Sequence, residues 1–160
     1  MYKRQAIGVG LTAGTNTLIG NNIGSKNTKK ASLFIAQSLI FAIFLSVLVT
    51  FFGLNVSDFL LSLMGSDQEG ITLTRKYLDI IFYGTVIVLI QISLNGTLNA
   101  QGDTKSYRNV LIFSFFLNIF LNPLFIFGYG FIPAFGISGI AIATVVSQFI
   151  GLLYLAYKVY

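Results

Sequence analysis

Carboxamide side chains set one helical turn apart inside apolar stretches are the residues of this chain best placed to do chemistry. In the interval 109–127, Ser114, Asn118 and Asn122 recur every four residues, and Pro123 follows the last of them. Side chains four apart stack on one face of a helix. Pro123 cannot donate a backbone hydrogen bond to the Ile119 carbonyl, so that oxygen stands free near two amide oxygens. Oxygens of this kind suit a hard cation. Gln91, Asn95 and Asn99 repeat the same interval earlier in the chain, and Thr144 and Gln148 repeat it later. Unpartnered amides are costly away from water, so several on neighbouring helices imply either mutual pairing or a hydrated path. Asn118 and Asn122 are read here as pathway residues, and Gln91, Asn95 and Asn99 as a cavity wall.

Other chemistries are excluded by composition. The 160 residues contain no Cys and no His, which removes thiolate nucleophiles, the usual zinc ligands and any Ser-His-Asp arrangement. No acidic or basic residue lies deep in an apolar run; Asp79, close to Arg75 and Lys76, is expected at a membrane interface. Without a deep carboxylate pair, an intramembrane enzyme is not supported. The net charge of +5 does not indicate nucleic acid, because the charges punctuate the chain instead of clustering on one face.

The elements that must position these residues follow from the same punctuation. Hydrophobic residues make up 55% of the chain and charged residues 9%, against roughly 25% charged in a soluble domain. Such a chain needs lipid around it. Residues 5–25, 31–57, 80–102 and 109–157 carry no charge, and the last interval breaks at GYGFIPAFG (128–136). A span needs about 20 residues. The reading is an all-α polytopic membrane protein, a single partial transmembrane lobe over 1–160, with five transmembrane helices at about 6–24, 31–54, 77–101, 109–127 and 137–157. Gly24 and Gly102 stand at expected helix C-caps. In the connector 55–76, Asp58 is a candidate N-cap for a short helix with Phe59, Leu60, Leu63 and Met64 on one face, lying on the membrane surface or forming a buried turn.

Lys and Arg set the orientation. Lys26, Lys29 and Lys30, then Lys105 and Arg108, then Lys158 fall on one side, assigned to the cytoplasm, so the loops 25–30 and 102–108 are cytoplasmic. The connector 55–76 offsets Arg75 and Lys76 with Asp58, Asp67 and Glu69, and falls outside with 128–136. Lys3 and Arg4 then begin on the outer side. Their stretch faintly resembles a signal peptide but runs on without a cleavage site, so Met1 is expected to lie inside a longer protein.

Small residues form further stripes. Gly8, Thr12, Asn16, Gly20 and Gly24 keep a four-residue interval, as do Gly139, Ala143, Ser147 and Gly151. The second stripe, and the pair Gly10 and Gly14, read as faces for close helix packing.

At its densest stretches the sequence resembles the multidrug and toxic compound extrusion (MATE) family. LNGTLNAQGDTKSYRN followed by FFLNIFLNPLFIFGYGFIPAFGISGIAIATVVSQ carries the likeness, and GLTAGTNTLIGNNIGSKNTKKA resembles the family's second helix and following loop. It is most specific in 94–148. The resemblance implies helices two to six of a six-helix N-terminal lobe, so the first helix and the second lobe of the same protein would lie outside this sequence. It also implies a cation site at Asn118, Asn122 and Thr144. Many relatives have Asp where this chain has Asn122. An acidic residue on the family's first helix would have to supply the charge.

The expected function is therefore a multi-pass transporter of the cell membrane that exports organic cations by Na⁺- or H⁺-coupled antiport. It would use no cofactor beyond the coupling ion, no other metal and no nucleic acid, with membrane lipid and the remainder of the same protein as partners. Two alternatives stay open: a lipid-linked saccharide flippase of the same superfamily, which should carry cationic side chains in its cleft, and a non-transporting membrane fragment.

Overall fold

The computed structural model describes residues 2–63 and 68–159, with side chains from Val9 onward. Five helices follow in chain order: α1 (Tyr2–Gly24), α2 (Thr28–Leu63), α3 (Gln68–Ala100), α4 (Lys105–Phe127) and α5 (Ile137–Val159). α3 is the central element and packs against α1, α2 and α5; α1 also meets α2, and α4 rests on α5.

The burial pattern is that of a protein in lipid. Large apolar side chains face outward, among them Phe44, Phe51 and Phe52 on α2 and Phe115, Phe116 and Phe120 on α4. Among the most completely enclosed side chains are Gln91, Ser93, Thr97 and Ser147, each at most 1% exposed. In a bilayer no hydrophobic force drives helices together, so small and polar residues occupy their contacts. Two apolar clusters complete the interior: Leu94, Leu98, Val110 and Leu155 join α3, α4 and α5, and Leu11, Ala42 and Leu89 join α1, α2 and α3. Helices α2 to α5 are long and apolar enough to cross a membrane, and the chain is a multi-pass membrane protein. α1 has 23 residues, but its glycines, threonines and asparagines keep it below that apolarity, so among the described residues four of the five helices qualify by composition alone.

The helices outrun the charge-free intervals. α2 continues unbroken to Leu63, so the expected separate surface helix with Asp58 as its N-cap does not form. The polar residues there bond back to their own helix instead of breaking it: Asn55 Nδ2 donates to the Phe51 carbonyl at 2.7 Å and the Ser57 hydroxyl to Leu54 at 3.1 Å. At 36 residues, α2 is about 54 Å long and exceeds the roughly 30 Å hydrocarbon layer. α3 likewise begins at Gln68, well before residue 77. Arg75 on α3 pairs with Asp58 on α2, which ties the protruding segments together, and its Nε lies 3.9 Å from Asp79. Met64 and Asp67, named above in this connector, lie outside the described residues.

Gly20 of α1 lies beside Ala100 of α3, a Cβ there meeting Ala100 Cβ at 3.9 Å, and the charge of Lys158 acts on Asp103. The segments around Lys26, Lys105 and Lys158 therefore gather at one end of the bundle, with the Asp58–Arg75 pair at the other. At the first turn the left-handed residue is Lys26 (φ 59°), not Gly24, and Asn27 caps α2 by accepting the Lys30 N–H at 3.2 Å. Gly102 does take the left-handed conformation (φ 87°). Asp103 then caps α4: its Oδ1 accepts the backbone N–H of Lys105 at 3.0 Å and of Ser106 at 2.9 Å.

The small-residue stripes divide. Gly139, Ala143, Ser147 and Gly151 are buried, and a Cβ on Gly139 would stand 2.5 Å from the Phe125 carbonyl oxygen. Gly10 and Gly14, expected to pack, instead line an open groove of about 310 Å³ with Thr15, Gln37 and Ser38, and a Cβ added at either would meet nothing within 4 Å.

Candidate functional site

The α4–α5 seam brings together part of the set expected from sequence. The missing Cβ atoms of Gly139 and Gly151 and the short side chains between them let α5 approach α4 closely enough for side chains to bond across. Asn118 Nδ2 donates to the Ser114 carbonyl at 2.9 Å and to the Ser147 hydroxyl at 2.7 Å. That hydroxyl donates onward to the Thr144 carbonyl at 2.9 Å. Asn118 and Thr144 are thus connected through Ser147, which is fully buried. The Thr144 hydroxyl itself is engaged on its own helix, donating to the Ile140 carbonyl at 2.9 Å.

One turn from Asn118, Asn122 presents a different situation. Its Oδ1 is buried and has no hydrogen-bond partner. A buried amide oxygen is seldom left unsatisfied, because losing water without replacement costs about 1–3 kcal/mol. Asn118 has spent both amide hydrogens, so its own Oδ1 is the polar atom it has left. The seam thus offers neutral oxygens, which can accept a hydrogen bond or coordinate a hard cation. Pro123 is exposed, and the gap it leaves in the helix ladder lies beside Ile119, itself 52% exposed.

The α3 amides are placed unequally. Gln91 is 1% exposed between α3 and α5, where its amide donates to the Gln148 carbonyl. Asn95 and Asn99 are half-buried. Ser147 was missed as a functional candidate because serine in a small-residue stripe has the signature of packing alone. The same holds for the Ser93 hydroxyl, which donates to Ser38 on α2 at 2.9 Å. The only available signal was Ser147 standing three residues after Thr144, on the adjoining face.

Comparison with known proteins agrees with this architecture. The MatE family model matches residues 5–124. The chain is 31% identical over 147 residues to a FAD transporter of Shewanella oneidensis, covering 92% of this chain and 32% of that protein. It is 32% identical over 158 residues to a probable multidrug resistance protein NorM of Thermotoga maritima, covering 98% and 34%. Among solved structures, an inward-facing multidrug resistance MATE family transporter of the MOP superfamily superposes with a TM-score of 0.87 at 31% identity, covering 97% of this chain and 34% of that one. The chain spans about a third of the length of these relatives. With five helices in the same arrangement and the family model over most of its length, the chain belongs to the MatE family.

Proposed function

We propose that these five helices form part of a secondary transporter that exports organic cations in exchange for Na⁺ or H⁺, with the coupling ion held at the α4–α5 seam. The observation that carries this reading is the buried, unpartnered Oδ1 of Asn122, one turn from Asn118. Asn118 and Asn122 supply oxygens to the ion. Thr144 contributes through its link to Ser147, or directly if its hydroxyl turns away from Ile140. Asn95 and Asn99 face the cargo, and Gln91 anchors that amide face to α5. The bound ion and the cargo each favour one orientation of the cleft, which gives exchange by alternating access. The basic loops 25–30 and 102–108 lie on the cytoplasmic side.

The test is made in a complete transporter that contains this chain. Asn118→Ala abolishes ion-dependent ethidium efflux while the protein still reaches the membrane in normal amount. Unchanged efflux in that variant refutes the site. Since one relative is named a FAD transporter, FAD is offered in parallel, and movement of FAD without ethidium refutes the organic-cation cargo.

A further inference from the structure

A groove of about 360 Å³ runs between α4 and α5 on the outer surface of the bundle, one helical turn beyond Ser114 and Ser147. Its walls are Asn109, Val110, Phe113, Ile150, Gly151 and Tyr154. Asn109 and Tyr154 stand at the mouth, at the basic end of the molecule, and Phe113 and Ile150 lie one turn deeper, towards the bilayer centre. The floor is apolar and the mouth is cationic. Arg108 Nη2 reaches Asn109 Oδ1 at 3.4 Å, and the Lys158 ammonium sits 5.9 Å from the centroid of the Tyr154 ring. Neither cation has a carboxylate partner: among the described residues the only ion pairs are those of Arg75 with Asp58 and Asp79. Asp103 lies within the field of Lys158, but its carboxylate is occupied by Ser106 and Lys105.

We infer that this groove is a docking site for an anionic phospholipid, with one acyl chain lying on Phe113 and Ile150 and the phosphate held between Arg108 and Lys158. An apolar trough opening on two unpaired cations at the headgroup level is complementary to one molecule abundant around such a chain. The phosphate satisfies both cations with charge-assisted bonds. A zwitterionic lipid fits the trough equally well but leaves the mouth with net positive charge.

Native mass spectrometry of a complete transporter that contains this chain, in a neutral detergent and titrated with phosphatidylglycerol or phosphatidylcholine of matched chains, provides the test. Phosphatidylglycerol is retained preferentially, and R108Q/K158Q reduces that retention by about tenfold, the scale of one to two basic contacts with an anionic surface. R108K/K158R keeps it. So does K26Q/K29Q, which removes the same charge at the same end without touching the groove. Ile150→Trp, which fills the trough, reduces retention with both cations intact. Equal retention of the two lipids overturns the proposal. Loss in K26Q/K29Q equal to that in R108Q/K158Q overturns it as well, as does undiminished binding in Ile150→Trp.

Discussion

Asn118 places both amide hydrogens in the α4–α5 seam, and its bond to Ser147 is the one whose removal is easiest to read. Ser147→Ala deletes the acceptor and leaves a buried amide hydrogen unpaired. Interhelical hydrogen bonds in membranes contribute about 0.6–1.7 kcal/mol, so a loss on that scale is expected in reversible unfolding in mixed micelles. Asn118→Ala and the double variant should be non-additive, because both single changes break the same contact. A second residue-scale expectation concerns Asp103. The Ser106 hydroxyl, then the Ser106 backbone N–H, hold its carboxyl below the ordinary carboxylate range. A carboxyl stabilised in its charged form contributes at pH values above its unfolded-state pKa and loses that contribution as the pH falls through the lowered value. Protection of the Lys105 and Ser106 amides against hydrogen exchange should therefore decline in acid, and Asp103→Asn should flatten that dependence. At this scale the sequence exposed the amides and hid the serines. An Asn in an apolar run is costly enough to stand out, whereas Ser147 is as small as the Gly and Ala around it and shows its hydroxyl only once α4 is in place.

Among the elements, the two glycine stripes separate packing from mere composition. Gly139 lies against the backbone of Phe125, so Gly139→Ala forces α5 away from the end of α4 and should destabilise by about 1–3 kcal/mol, as overpacking does. Gly14→Ala meets no atom within 4 Å and relieves a glycine inside a helix, so it should be neutral or stabilising by up to about 1 kcal/mol. Thermal unfolding of the two variants in detergent checks both signs. Both stripes have the same small-residue spacing in sequence; which of them meets a partner depends on how the helices are arranged, and spacing does not encode that. The ends of α2 and α3 were obscured for a related reason. Charges locate where lipid stops, but a helix continues through the interface while its polar side chains bond to their own backbone, as Asn55 and Ser57 do, or pair across, as Asp58 does with Arg75.

For the whole molecule, the inverted burial pattern and the division into basic and mixed-charge ends were both legible, because lipid imposes them directly on composition and loop charge. Helix adjacency was not: α3 packs mainly on α5 rather than on α4, its neighbour in sequence, and that depends on the Gln91–Gln148 and Gly84–Val145 contacts, which no local pattern announces. The central claim is that the oxygens of the α4–α5 seam couple an ion to cargo. Its most direct measurement is ethidium export by a complete transporter containing this chain, reconstituted in liposomes with and without an imposed Na⁺ or proton gradient. One of the two gradients should accelerate export several-fold, and Asn118→Ala should remove that acceleration. Export at the same rate with no gradient, or acceleration that persists in Asn118→Ala, would contradict it.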